Sequence, residues 1–228
     1  MKILRYFSKF EWCLILFSYA IIFSFFYLFD GENYFNFCSA LVGIAALIFS
    51  AKGNPMGPLL MIIFATAYGV ISYSFSYYGE MITYLGMSLP MSVWAFTAWF
   101  RNPSDKGRAE TRVGRVYARE WGILSLLTLA VTVIFYFILY ALDTPNLIFS
   151  TLSISTSFAA SYLTARRSPY FALAYATNDV VLILLWVLAT IKDVSYLSVT
   201  ACFVVFLLND TYSFINWRRM ERRQKQEG

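Results

Sequence analysis

Two Asn-Asp dipeptides, Asn178-Asp179 and Asn209-Asp210, are the residues of this chain best placed for chemistry, because each lies inside a long apolar run. The runs read YFALAYATNDVVLILLWVLA and VSYLSVTACFVVFLLNDTYSFINW. A carboxylate at the centre of a membrane helix costs roughly 2.5–3.5 kcal/mol on insertion scales, so it faces protein or water and not lipid. At 1.5 Å of rise per residue, both pairs sit roughly 12–15 Å from the same edge of the bilayer. Two antiparallel neighbouring helices would then bring amides and carboxylates together near mid-depth. Trp186 lies seven residues from Asp179, on nearly the same face, and Tyr212 and Asn216 share a face with Asn209. This mixture suits a small polar ligand with a flat ring. Aromatic planes stack on the ring, amides and acids bond hydroxyls, and a cationic ring gains further from the carboxylates and from cation–π contact. Two other readings stand beside it: interhelical hydrogen-bonded glue, and a proton-coupling role for Asp179 or Asp210.

Further candidates lie elsewhere. Trp94, Phe96 and Trp99 end an apolar segment that Gly86 and Pro90 interrupt, which suggests a kinked helix with an aromatic lining. Trp99, next to Arg101, and Trp217, next to Arg218, equally fit interfacial anchors. Tyr68 and Tyr73 either line a cavity or pack in the core. The run STLSISTSFAASYLTA is rich in small residues and reads first as close helix packing, then as the wall of a path. Cys13, Cys38 and Cys202 read as small buried hydrophobes. The chain has no histidine, and no residues show metal-ligand spacing. Imidazole-based metal sites and catalytic dyads are therefore excluded, and no cofactor is expected.

The elements that must position these residues follow from composition. Of 228 residues, 59% are hydrophobic and 20% aromatic, and the mean hydropathy is +0.60. Such a chain is an all-α integral membrane protein. Its net charge of +5 reports topology and not a nucleic-acid partner. Eight apolar segments are predicted as transmembrane helices: Trp12–Phe29, Phe35–Ser50, Pro58–Tyr77, Ile82–Phe100, Trp121–Leu142, Leu147–Leu163, Tyr170–Thr190 and Val194–Trp217. With the N-terminus inside, every Lys and Arg except Lys192 falls on the inner side. That bias puts both termini in the cytoplasm and makes Arg101–Glu120 a solvated cytoplasmic loop against anionic lipid.

A weak repeat runs through the chain. Ala51-Lys52-Gly53-Asn54-Pro55 matches Ala165-Arg166-Arg167-Ser168-Pro169, and Ala98-Trp99-Phe100-Arg101 matches Asn216-Trp217-Arg218-Arg219, at offsets of 114 and 118 residues. Segments two to four thus pair with segments six to eight, with one helix between, as parallel repeats require. The units are an inner tail with an extra helix (1–30), a first triplet (31–102), a loop with linker helix (103–142), a second triplet (143–217) and a basic tail (218–228).

The tail LLNDTYSFINWRRM, the run NDVVLILLW and the stretch YYGEMITYLGMSLPMSVWAFTAWFRNP together resemble the PnuC family of bacterial vitamin transporters, over about Phe35 to Met220. The resemblance implies a SWEET-like 3+1+3 core preceded by an extra helix, a homotrimer in the inner membrane, and uptake of nicotinamide riboside by facilitated diffusion. A cytoplasmic kinase would trap the product. It further implies substrate contacts from Asn178, Asn209 and Trp99, whereas Asp179 and Asp210 depart from the family pattern. Thiamine or another nucleoside-like vitamin is the alternative cargo. A non-transporting receptor or assembly subunit is the alternative of a different class. An enzyme is not expected.

Overall fold

The computed structural model describes residues 6–31, 34–74, 81–104 and 109–227. Lys2, Arg5, Glu32, Lys106, Arg108 and the turn Tyr78-Gly79-Glu80 lie outside the described residues.

Long apolar runs must satisfy their backbone internally, which dictates helix. Eight α-helices lie among the described residues, one in each of the apolar segments. They are α1 Lys9–Phe25, α2 Tyr34–Ala51, α3 Met56–Ser74, α4 Leu89–Phe100, α5 Ala118–Ala141, α6 Leu147–Ala165, α7 Tyr170–Thr190 and α8 Leu197–Glu227. By length and composition, five are long and apolar enough to cross a membrane: Lys9–Phe29, Ala118–Ala141, Leu147–Ala165, Tyr170–Thr190 and Leu197–Gln226. Phe37–Ala51 and Met56–Val70 are shorter apolar stretches. Short α4 is preceded by a π-helical turn, Thr83–Ser88, which contains Gly86. The widened turn is where the interruption read from Gly86 and Pro90 is absorbed. Residues 218–227 continue α8.

Six helices close a ring. Within it α2 packs on α3 and α3 on α4, while α6 packs on α7 and α7 on α8. The two groups meet through α2 against α8 and α4 against α6. Helix α5 packs on α6 from outside, and α1 lies across α8 and α2.

Helix α1 is tied down by chemistry at its start. Ser8 and Glu11 form a capping box, Ser8 Oγ accepting the Glu11 N–H at 3.2 Å and Glu11 Oε2 accepting the Ser8 N–H at 2.6 Å. The same buried carboxylate accepts from Lys52 Nζ at 2.9 and 3.1 Å and from the Tyr212 hydroxyl at 2.8 Å. One acid on α1 thus holds the end of α2 and the middle of α8.

Lys52, the 101–118 loop, Arg166-Arg167 and the end of α8 gather at one end of the ring, the basic end. The loop's described residues form a fitted strap there, while Arg101, Arg112, Arg115 and Arg119 remain exposed. Thr111 is fully buried and donates its N–H to Gly53 O at 2.7 Å. The Gly114 N–H donates to Arg167 O at 2.9 Å, and the Val113 N–H to Gln224 Oε1 at 2.8 Å. Arg223 pairs with Glu110 at 2.6 Å. Of the cations around the strap, Lys52, Arg166 and Arg223 are each spent on an internal carboxylate. Arg167 illustrates the crowding: burial, with Arg166 and Arg112 nearby, holds its guanidinium below its ordinary value.

The indoles of the two repeat tryptophans fill the core just above this strap. Trp99 Nε1 donates to Thr164 O at 2.7 Å, and Trp217 Nε1 to Ser50 O at 2.8 Å. Their ring centroids are 5.1 Å apart, and Phe171 packs edge-on against Trp217 at 5.0 Å. Neither indole is an interfacial anchor, since both are fully buried. Each adds a second hydrogen bond to a carbonyl in the last turn of a helix of the other group, which already accepts the N–H of Gly53 or Arg167.

Candidate substrate cavity

The six-helix ring encloses a chamber of about 910 Å³, its mouth included. Its walls come from every member. Helix α7 contributes Tyr175, Asn178, Asp179 and Leu182, at the i+3/i+4 spacing of one helical face. Helix α8 contributes Val199, Cys202, Phe203, Phe206 and Asp210 by the same rule, and α3 contributes Met61, Phe64 and Tyr68. Helix α6 adds Ser157 and Ser161, and the π-turn adds Tyr84 and Ser88. Away from the basic end the chamber continues into a space of about 760 Å³ that shares Tyr68, Tyr84, Asn178 and Phe203 and extends to Thr144, Ser150 and Trp186. Toward the basic end a smaller space of about 400 Å³ shares Tyr175, Ser161 and Asp210 and stops at Phe171. Beyond Phe171 stand Trp99 and Trp217. The path is thus plugged by three packed rings at the basic end.

Polar groups in the chamber are few and placed. Asn178 Oδ1 accepts from Thr156 Oγ1 at 2.8 Å, which turns its amide from the α6 side. Ser161 Oγ and the Tyr175 hydroxyl are 3.0 Å apart. The rings of Tyr68 and Tyr84 lie 4.6 Å apart, tilted by 44°, an aromatic wall of the chamber that the acids also line. Asp179 and Asp210 are both buried and meet in hydrogen-bonding contact across the α7–α8 interface. Among the described residues no Lys or Arg lines any of the three spaces.

Of the residues singled out from sequence, Tyr68, Asn178, Asp179 and Asp210 line the chamber, and Trp186 lines its extension. The rest are engaged elsewhere. Asn209, Tyr212 and Asn216 do share one face of α8, but that face is turned toward α1 and α2. Asn209 Nδ2 donates to Ser18 Oγ at 3.0 Å and to Val205 O at 2.8 Å, Tyr212 donates to Glu11, and Asn216 Nδ2 donates to Ala51 O at 2.8 Å. Adjacent residues on a helix point about 100° apart, so Asp210 faces the chamber while Asn209 faces away. Trp99 is held in the plug at the basic end. Trp94 is exposed on the outside of α4 and packs edge-on against Tyr162, and Phe96 pairs with Phe100. Neither lines the cavity. Cys13 and Cys38 lie on the outer surface and not in the core, while Cys202 lines the chamber.

Sequence reasoning missed Tyr84, Tyr175, Phe203 and Phe206. The signal was there for three of them: Tyr175 precedes Asp179 by four residues, and Phe203 and Phe206 precede Asp210 by seven and four. Tyr84 had no such signal, because the π-turn breaks the period. The serine-rich helix serves both of its readings. Ser155 and Thr132 meet at 2.6 Å where α6 packs on α5, and Ser157 and Ser161 line the chamber.

A ring of apolar helices around a deep, aromatic-walled polar cavity defines a multi-pass membrane transporter rather than an enzyme. The chain belongs to the nicotinamide mononucleotide transporter family, whose profile matches residues 33–219, and is a member of the PnuC family. It is 24% identical over 201 residues to the nicotinamide riboside transporter PnuC of Neisseria mucosa, covering 86% of this chain and 76% of that relative. To the nicotinamide riboside transporter PnuC of Haemophilus influenzae it is 24% identical over 193 residues, covering 84% and 82%. A crystal structure of the vitamin B3 transporter PnuC superposes with a TM-score of 0.81 at 22% identity, over 96% of this chain and 94% of that one. That likeness shows the fold.

Proposed function

We propose that this protein takes up nicotinamide riboside by facilitated diffusion, with the chamber between the two helix triplets as its binding site. The observation that carries the reading is the chamber's chemistry: two carboxyls, one amide and a tyrosine wall, with no basic side chain among the described lining residues. A mononucleotide brings a phosphate dianion, which such a lining would repel. The riboside brings a positive pyridinium ring and ribose hydroxyls, which it suits.

In this reading all eight helices cross the inner membrane and the basic end is cytoplasmic. The 3+1+3 SWEET-like repeat is supported by paired details at the offset of the sequence repeat. Gly53 and Arg167 both take positive φ, +67° and 57°. Their N–H groups donate to Ser50 O and Thr164 O, both at 2.9 Å, and those two carbonyls are the acceptors of Trp217 and Trp99. Rocking of one triplet against the other would part the indoles and open the chamber inward. A cytoplasmic kinase would trap the product, and three copies would assemble as a homotrimer.

Titration calorimetry on the purified protein tests the reading. Saturable binding of nicotinamide riboside, with none of the mononucleotide, is the expected result. Binding of thiamine in its place would keep the fold and change the cargo. In sealed vesicles with the kinase inside, accumulation that a protonophore abolishes would overturn facilitated diffusion.

A further inference from the structure

Asp179 and Asp210 support an inference that rests on the nicotinamide riboside reading and extends it to how charge is recognised. Both side chains are about 3% exposed, and both line the central chamber. Their carboxyl groups are in hydrogen-bonding contact. Carboxylate oxygens are acceptors only, so such a contact needs at least one proton between the two groups. With one proton retained, the pair carries a single negative charge. Asp179 Oδ2 is buried with no hydrogen-bond partner, and a buried acceptor left open in this way calls for a ligand or water. The other titratable groups that line the same chamber are neutral: Tyr175 from α7, Cys202 from α8, Tyr68 from α3 and Tyr84 from the π-turn. No cation of the chain balances the charge among the described lining residues.

We propose that the Asp179–Asp210 pair is a one-charge site that recognises the positive ring of the substrate, with the shared proton retained between the carboxyls. An uncharged analogue of the same shape is discriminated against because it leaves the charge unbalanced. The arrangement has a signature that two independent carboxylates would lack. Asparagine at either position donates from its amide to the remaining carboxylate, as the shared proton did, and preserves the single charge. Asparagine at both positions removes it.

The test compares two probes on the purified full-length protein: nicotinamide riboside, and its reduced dihydro form, which has the same sugar and a neutral ring. Wild-type protein is expected to prefer the cation. Asp179→Asn and Asp210→Asn should each hold that preference within about three-fold. The double variant should lose about thirty-fold or more in affinity for the cation while its affinity for the reduced form changes by less than about three-fold. Thermal melting confirms that each variant is folded. Two results overturn the pair alone: single variants that lose the preference as fully as the double variant, or a double variant that keeps it. Wild-type protein that binds neither probe overturns the nicotinamide riboside reading and this inference with it.

Discussion

Lys52→Met is the perturbation whose consequence follows most directly from the fold. It removes the cation from Glu11, a side chain about 4% exposed that also accepts from Ser8 and Tyr212. A buried ion pair that loses one partner leaves an uncompensated charge, at a cost of about 3–5 kcal/mol. For a chain of this length each kcal/mol shifts the melting point by roughly 2–4 °C, so the variant should melt about 6–20 °C lower. Glu11→Gln on top of Lys52→Met removes the stranded charge while keeping an acceptor for Tyr212, and should recover at least about half of the loss. Tryptophan fluorescence during a thermal ramp in detergent reads both. A Lys52→Met protein that melts within about 2 °C of wild type, or a double variant no better than the single, would falsify the claim that Glu11 is buried as a paired carboxylate.

The remaining predictions concern the plug, the chamber and one glycine. Trp99→Phe and Trp217→Phe each remove one of the two hydrogen bonds to a helix-end carbonyl and should each destabilise by about 0.5–1.5 kcal/mol, measured by the same melts; a large asymmetry between them would count against the paired arrangement. Asn178→Ala should weaken nicotinamide riboside binding by about ten-fold in calorimetry, because Asn178 lines the chamber. Asn209→Ala, which loses its bond to Ser18, should instead cost about 1–2 kcal/mol of stability and leave affinity within about two-fold; the reverse pattern would return Asn209 to the site. Gly57→Ala would set a Cβ 2.6 Å from the Ser50 backbone nitrogen, and should lower stability by about 1–3 kcal/mol through forced separation of α2 and α3.

What the sequence disclosed depended on which physical rule was local. Apolar length and charge bias act within one segment, so the helices fall where expected: Tyr170–Thr190 matches residue for residue, and α6 ends at Ala165, two residues beyond the expected Leu163. The burial cost of a carboxylate is also local, and it marked Asp179 and Asp210 as cavity residues. Rotation about a helix axis is not local. Asn209, Tyr212 and Asn216 were legible as one face of α8, but only the position of α1, which supplies Ser18 and Glu11, decides that the face is turned from the chamber. The two tryptophans show the same limit. An indole beside an arginine looks the same in sequence whether it meets lipid headgroups or a carbonyl across the core. The strap at 101–118 was hidden for a further reason: its contacts are mostly backbone hydrogen bonds, which side-chain identity does not encode.

The exchanged indole bonds bear on how the inner side would yield. Trp99 belongs to the first triplet and is anchored in the second; Trp217 belongs to the second and is anchored in the first. With the ring centroids 5.1 Å apart, neither can swing aside without meeting the other. Such a latch resists partial opening, because releasing one side alone breaks an indole bond and frees no passage. It favours a single concerted release, so the inner side would be shut or open with little population between, and cargo would meet a narrow doorway of fixed width and not a gradually loosening seam.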